Sequence, residues 1–391
     1  MSFDCRDPVS GLRRGVPCVR GKRMKATWLA VLMLVATAVF GQESGPVRQV
    51  SGLRDAVEPR PTPPIPEGNA GLAAKYPGDV GIEKDPDVVF AEGFDGAIDA
   101  ICARWDQAAG RELMSKSDDV PPGSGGTQSL LLTRVAGGTN GYHDGGNLYR
   151  RLENDQGGYG YDQLFFRFYM KFNRDHAPIH HYGSGLLGYR PPSRWPLGGA
   201  GIRPKGDQSW VTQVEPGDFR RWSFYTYWQE MGGSPPKGQT WGNSFEHDVP
   251  PRPVERETWI CLEVMVKMND VGDSNGEQAY WLDGKLSRKG DLITSYLGKG
   301  FPQKGSWTYD KFYPDVVREG IFWDYDKGRG VPNEPGKPFP GFRWRNAPEL
   351  TVNAIWLYRY MSKPEAGTSQ VWWDHLVVAK KYIGPLTPVT R

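Results

Sequence analysis

From residue 87 onward the chain is a succession of short segments in which apolar and polar side chains alternate. In Gln163–Lys171, residues Gln163, Phe165, Arg167, Tyr169 and Lys171 share one parity, and Leu164, Phe166, Phe168 and Met170 the other. Arg221–Gln229 sets Arg221, Ser223, Tyr225, Tyr227 and Gln229 against Trp222, Phe224, Thr226 and Trp228. Trp259–Met268 sets Trp259, Cys261, Glu263, Met265 and Lys267 against Ile260, Leu262, Val264, Val266 and Met268. Val352–Met361 alternates less cleanly, with Asn353 and Arg359 on one parity. Successive side chains of a strand leave opposite faces, so a period of two predicts strands in all four places. Apolar runs predict further strands at Asp87–Phe94, Ser129–Val135, Asn147–Glu153, Trp210–Glu215, Glu277–Asp283 and Gln370–Lys380. Many short strands punctuated by Gly, Pro and Asn predict an all-β domain, a two-sheet antiparallel jelly-roll sandwich.

Composition agrees with the pattern. The 50 Gly and 33 Pro among 391 residues mark a chain that turns often, and 15 Trp, 18 Tyr and 16 Phe supply rings to pack between the turns. A helical bundle, a coiled coil and a multispan membrane protein are disfavoured, as is disorder over most of the length. No 20–50-residue repeat supports a solenoid or propeller. The net charge of +3 is an end effect: residues 1–41 hold seven Lys/Arg and two Asp, a surplus of five, so residues 42–391 carry about −2. That balance offers no basic footprint for nucleic acid.

The first 41 residues read as an address. Lys25 leads an apolar run over 26–41, followed by Gln42–Glu43, the basic–apolar–small order of a secretory signal, with Met24 as an alternative start. The run is short for a membrane span, so the mature protein is expected to be secreted or periplasmic and free of the membrane. Residues 42–86, with Glu58-Pro-Arg-Pro-Thr-Pro-Pro-Ile-Pro66, read as a Pro-rich linker. The jelly-roll domain is then 87–391. After the signal only Cys102 and Cys261 remain; an oxidising compartment permits them to pair, and two buried thiols are an equal reading.

The polar parities of these strands mix Arg, Lys and Glu with Tyr, Trp and Gln. Flat rings cover the apolar C–H faces of a sugar, while charged groups hold its hydroxyls and carboxylates. The alternative is that Tyr and Arg merely cover their own sheet.

Val88-Val-Phe-Ala-Glu-Gly-Phe94, Leu164–Asn173, Thr258–Asn269 leading to Tyr280-Trp-Leu-Asp-Gly-Lys285, and Val371-Trp-Trp-Asp-His-Leu-Val-Val-Ala379 resemble strands of a concanavalin A-like jelly roll. The resemblance spans residues 87–385 and is to the family 14 polysaccharide lyases, which act on uronic-acid polymers such as alginate and glucuronan. It implies β-elimination beside a uronate, with an acidic polysaccharide as partner and no cofactor. Such chemistry needs a group to neutralise the uronate, a base for the α proton and an acid for the leaving oxygen. Tyr225 and Tyr227 resemble the family's paired tyrosines, while no lysine of this chain is matched to the family's base. The implied catalytic set is Tyr225, Tyr227, His181, Lys267 and Arg167. The implied substrate-binding set is Arg221, Lys171, Glu263, His180, Trp228 and Arg359. Arg167, Lys171, Tyr225, Tyr227, Glu263 and Lys267 are expected to converge in one trough.

Two motifs leave alternatives open. His176-x-x-x-His180-His181-Tyr182 is expected on a loop after Leu164–Phe172, where His180 or His181 is a base or neutraliser, a metal ligand, or a packed loop residue. Asp270–Glu277 spaces oxygens like a small structural calcium loop, but its place between strands makes a hairpin turn the better reading. A retaining glucanase would want two carboxylates in Glu-x-Asp-x-x-Glu, and Glu246-His-Asp248 lacks the third. The rival to a lyase is a non-catalytic carbohydrate-binding protein of the same fold.

Overall fold

The predicted strands assemble into two antiparallel sheets stacked face to face. The computed structural model describes residues 65–135, 145–177, 181–197, 199–219, 222–231, 242–244, 253–289, 292–298, four short strand segments within 307–332, 341–360 and 367–389. The signal reading of residues 1–41 lies outside them.

The strands in chain order are β1 Val88–Glu92, β2 Gln107–Ala109, β3 Met114–Ser117, β4 Ser129–Arg134, β5 Asn147–Arg151, β6 Gln163–Phe172, β7 His181–Tyr189, β8 Ser209–Glu215, β9 Ser223–Tyr227, β10 Asn243–Ser244, β11 Ile260–Lys267, β12 Glu277–Leu282 and β13 Lys285–Leu286. Short segments follow: β14 Arg288–Lys289, β15 Leu292–Ile293, β16 Tyr296–Leu297, β17 Trp307–Thr308, β18 Tyr313–Pro314, β19 Ile321–Asp324 and β20 Arg329–Pro332. The chain closes on β21 Ala354–Tyr360 and β22 Ser369–Ala379. One sheet runs β13-β12-β11-β6-β22-β4-β3, with β1 on β22 and β16 on β12; the other runs β10-β9-β8-β7-β21-β5-β2. We call them the strapped sheet and the tyrosine sheet. A jelly roll of this kind is the fold the alternation predicted.

Parity decides what enters the core. Leu164, Phe166, Phe168, Met170 and Phe172 of β6 and Ile260, Leu262, Val264 and Val266 of β11 meet Tyr182, Leu186, Trp210, Val214, Phe224, Ile355 and Leu357 of the tyrosine sheet. Polar links cross this core: Thr212 Oγ1 donates to Gln278 Oε1 at 2.8 Å and lies 2.8 Å from Thr226 Oγ1, Tyr280 Oη donates to Trp222 O at 3.0 Å, and Trp373 Nε1 donates to Tyr182 Oη. The oxygens of the buried Thr212, Thr226 and Gln278 set are paired, while Gln278 Nε2 has no hydrogen-bond partner among the described residues.

The strapped sheet is buried on both faces. Its outer side, carrying Phe165, Met265, Trp281, Val377 and Ala379, packs on Leu72, Ala73, Ile82, Tyr382 and Ile383. Those partners belong to four single 3₁₀ turns, Gly68–Ala70, Leu72–Lys75, Pro77–Asp79 and Ile82–Lys84, and to the C-terminal segment. Residues 65–86 are therefore a packed strap and not the linker their composition predicts. Pro and Gly here make tight turns that hydrogen-bond to the C-terminal segment: Leu72 N–H donates to Tyr382 O at 3.0 Å, Ala73 N–H to Ile383 O at 2.9 Å, and Gly78 N–H to Thr387 O at 2.8 Å. At Gly71 a Cβ would stand 2.2 Å from Ile383 O, so only glycine permits this approach.

A bulge in β22 interrupts its pairing with β6 between Asp374 and Val377. The irregularity flips parity: Val371 and Trp373 face the core before it, Leu376 and Val378 after it. His375 takes a φ of 47° at this point.

Asp270–Glu277 joins β11 to β12 as a hydrogen-bonded turn, with Asp270 N–H donating to Asn275 Oδ1 and Asn275 Nδ2 to Asp270 Oδ2, both at 2.8 Å. No group of three or more His, Cys, Asp or Glu able to hold a metal occurs among the described residues. Cys102 and Cys261 are separate buried thiols, Cys102 beside Met114 and Cys261 beside Tyr169. No described helix is long and apolar enough to cross a membrane.

Burial pushes the Asp374 carboxyl up to about 8 and the Glu263 carboxyl up to about 7, so both take up protons on folding. A raised native value contributes stability at low pH that is lost as pH climbs through it. The thermal midpoint should fall as pH is raised from 5 to 8, and Asp374→Asn should flatten that fall by an amount on the order of a few kcal/mol. A pH-independent midpoint over this window, measured by calorimetry, contradicts the burial argument.

Candidate functional site

The six residues expected in one trough do not meet. Arg167, Lys171, Glu263 and Lys267 belong to the strapped sheet, whereas Tyr225 and Tyr227 lie on the far side of the tyrosine sheet. Arg167 is completely buried under the strap, where Nη2 donates to Asp79 Oδ2 at 2.7 Å and Nη1 to His375 O at 3.0 Å. Glu263 is buried beside it and accepts the backbone amides of Ile383 at 2.7 Å and Gly384 at 2.8 Å. Lys171 pairs with Asp119 and sits between the rings of Trp372 and Trp259. Lys267 pairs with Glu277 at 3.2 Å at the sheet margin. The reason is the strap: sequence parity separates one strand face from the other, but does not say which face another segment covers.

Two further expectations change for reasons of parity. Trp228 points into the inter-sheet core, with ring centroids 4.9 Å from Phe342 and 6.3 Å from Trp344. Arg359 shares its core-facing parity with Leu357 and is buried, donating Nε to Gly145 O at 3.1 Å and Nη1 to Ser369 O at 3.2 Å. His176 is packed against Phe172 and Phe219, and burial with the nearby Arg359 pushes its pKa down to about 3. It is a neutral core imidazole. Arg221 and His180 lie outside the described residues.

What remains gathers on the outer face of the tyrosine sheet, where many side chains, Tyr149, Leu187, Tyr189 and Trp356 among them, are themselves buried. His181 opens β7, and its Nδ1 lies 2.8 Å from Glu215 Oε1 at the end of β8. Tyr225 of β9 lays its ring over His181, centroids 4.7 Å apart and planes inclined by 36°, and Tyr360 of β21 lies 6.0 Å away on the opposite strand. The hydroxyls of Tyr225 and Tyr227 are 3.1 Å apart. Behind them, Gln213 Nε2 donates to Glu215 Oε1 at 2.5 Å while Tyr358 Oη donates to Gln213 Oε1 at 2.6 Å. A relay Tyr358–Gln213–Glu215–His181 therefore spans β21, β8 and β7. His181, Tyr225 and Tyr360 are half-buried; Gln213, Glu215, Tyr227 and Tyr358 are buried beneath them.

Local sequence makes the face. The order β9-β8-β7-β21 places residues of like parity side by side, with Gln213 paired to Tyr225 across β8 and β9 and His181 to Tyr360 across β7 and β21. Gly183 lies under the Tyr358 ring, and a Cβ there would stand 1.7 Å from Tyr358 Cε1. Burial, with smaller contributions from neighbouring phenol and carboxylate groups, pushes Tyr225 above the ordinary phenol range, and burial does the same for Tyr227. Both are neutral phenols over the neutral range, able to donate a proton but not to act as bases.

Gln213, Glu215, Tyr358 and Tyr360 were missed from the sequence. The signal was present: Gln213 and Glu215 alternate with Trp210, Thr212 and Val214, and Tyr358 and Tyr360 hold the parity opposite Arg359. Singling out Arg359 for its charge selected the inward parity of β21.

No family model and no curated protein sequence matches the chain. Solved structures to which it is similar include a marine PL-14 alginate lyase from Aplysia kurodai, at 13% identity over 75% of this chain and 99% of that one, with a TM-score of 0.46. An alginate lyase from a Chlorella virus gives 10%, 75%, 99% and 0.44. An endo-β-1,4-glucuronan lyase from the fungus Trichoderma reesei gives 13%, 75%, 95% and 0.36. The likeness lies in the jelly roll, and no residue role is carried over from it.

Gly183→Ala should push the Tyr358 ring off β7 and break the relay to Glu215. A loss of roughly 1–3 kcal/mol in denaturant unfolding is expected, with a changed near-ultraviolet circular dichroism spectrum. An unchanged spectrum and stability contradict the close approach.

Proposed function

We propose that the outer face of the tyrosine sheet around His181 binds a uronic-acid polysaccharide and cleaves it by β-elimination. The observation that carries this reading is the juxtaposition of His181, held at Nδ1 by Glu215, with the neutral hydroxyl pair Tyr225 and Tyr227. A Glu215 carboxylate accepting Nδ1–H leaves Nε2 unprotonated, the state a general base requires. His181 Nε2 takes the proton beside the uronate, the C–H electron pair becomes the new C=C bond, and the bond to the glycosidic oxygen breaks. A phenol of the Tyr225–Tyr227 pair gives its proton to that oxygen. The proton on His181 then returns to the phenol through solvent. Tyr225 and Tyr360 flank His181 and supply ring faces for adjoining sugars. Arg221 and His180 remain our proposed uronate ligands. Export through the N-terminal segment fits a polymer met outside the cytoplasm.

Incubation with alginate and with glucuronan should release unsaturated ends that absorb in the ultraviolet. His181→Ala is expected to lower turnover by roughly 10²–10⁴-fold, and Tyr225→Phe by a similar order, with the fold retained. Binding without new absorbance supports a non-catalytic carbohydrate-binding protein instead. Wild-type turnover in Tyr225→Phe removes that phenol from the chemistry.

A further inference from the structure

On the opposite side of the molecule Ser124, His375 and Asp79 form a hydrogen-bonded series that the elimination chemistry does not use. Ser124 Oγ lies 2.7 Å from His375 Nε2, and His375 Nδ1 lies 2.9 Å from Asp79 Oδ2. The three come from the bulge of β22, the strap and the loop before β4, separated in sequence but fixed by packing. Gly125 N–H donates to Gly78 O at 3.0 Å, and a Cβ at Gly125 would stand 2.7 Å from that oxygen, so the Ser124 loop is seated directly on the residue before Asp79. Asp79 and His375 both hold left-handed backbone conformations, φ 60° and 47°. Residues held in that region cluster where surrounding structure over-determines them.

The proton inventory favours a nucleophilic serine. Burial pushes the Asp79 carboxyl up, but Arg167 and His375 outweigh it and hold it below the usual carboxylate range. Asp79 therefore accepts the Nδ1–H of His375, leaving Nε2 as the acceptor for the Ser124 hydroxyl. Ser124 Oγ accepts the Gly126 N–H at 2.9 Å and lies 3.2 Å from Gly126 O, contacts that fix its position beside His375 Nε2. Asp79, His375, Gly125 and Gly126 line one cavity of about 310 Å³, near the lower limit for small-molecule sites, while Ser124 sits next to Gly125 beside this lining and not in it. Glu83, Glu92 and Asp95 on its wall, against the single cation Arg104, repel anions.

We propose that Ser124, His375 and Asp79, beside this cavity, form a second active site, a serine hydrolase site for short-chain acyl esters of uncharged alcohols. Ser124 Oγ attacks the ester carbonyl while its proton passes to His375 Nε2. The tetrahedral adduct collapses, the alcohol oxygen leaves with the proton from Nε2, and the acyl group remains on Ser124. Water then adds to the acyl carbon, gives a proton to Nε2, and the carboxylic acid departs as the proton returns to Ser124 Oγ. The site is independent of the uronan reading.

The full-length chain treated with a fluorophosphonate probe should gain one phosphonyl group, mapped to Ser124 by peptide mass spectrometry, and should release nitrophenol from p-nitrophenyl acetate. Ser124→Ala should abolish both with an unchanged circular dichroism spectrum. His375→Asn, whose side chain tolerates the left-handed backbone, should slow labelling by at least roughly 10²-fold. Absence of label on Ser124, or ester turnover unchanged in Ser124→Ala, overturns the proposal. Labelling without ester turnover overturns the hydrolase assignment.

Discussion

The ion pair between Arg167 and Asp79 fixes which sheet of this sandwich the strap covers. A guanidinium completely removed from water is tolerated only with a charged partner, and Asp79 arrives with the strap. The same strap brings Leu72, Ala73 and Ile82 onto Phe165, Met265 and Trp281, while Glu263 anchors the C-terminal segment through the Ile383 and Gly384 amides. With the strapped sheet covered on its outer side, the half-buried His181, Tyr225 and Tyr360 of the tyrosine sheet are the group we assign to the ligand.

That division gives the two faces different chemistry from similar residue types. Under the strap, Arg167 pairs with Asp79 and Glu263 accepts the Ile383 and Gly384 amides, contacts that hold chain segments down although Arg167 Nε and Asp79 Oδ1 have no hydrogen-bond partner among the described residues. On the tyrosine sheet the phenols, His181 and Glu215 form a relay whose outer members stay partly accessible, kept in register by β-pairing and by the absence of a side chain at Gly183. The bulge in β22 is tied to the strap, since Arg167 Nη1 donates to His375 O and His375 Nδ1 faces Asp79. By flipping strand parity it places His375 between Asp79 and Ser124, a position that regular alternation would not give it.

The sequence disclosed the fold class because alternation is a local property: β6, β9 and β11 lie within the segments whose period of two predicted them. It offered Tyr225, Tyr227 and His181 as candidates by residue type, but it expected the histidine on a loop, whereas His181 opens β7. It could not say which face of β6 or β11 was covered, because the covering residues lie about a hundred positions or more away in the chain. Arg167 and Glu263 carry the same letters whether they line a groove or anchor a strap. Pro and Gly between 65 and 86 read as a linker for the same reason: tight 3₁₀ turns and extended linkers share a composition, and only long-range hydrogen bonds separate them.

The central claim, that the ligand face is the tyrosine sheet, is tested most directly by hydrogen–deuterium exchange with and without a uronate oligosaccharide. Protection should concentrate in His181–Tyr189, Ser223–Tyr227 and Ala354–Tyr360, with Gln163–Phe172 and Ile260–Lys267 unchanged. Protection confined to those last two segments would put the ligand on the strapped sheet and contradict the account.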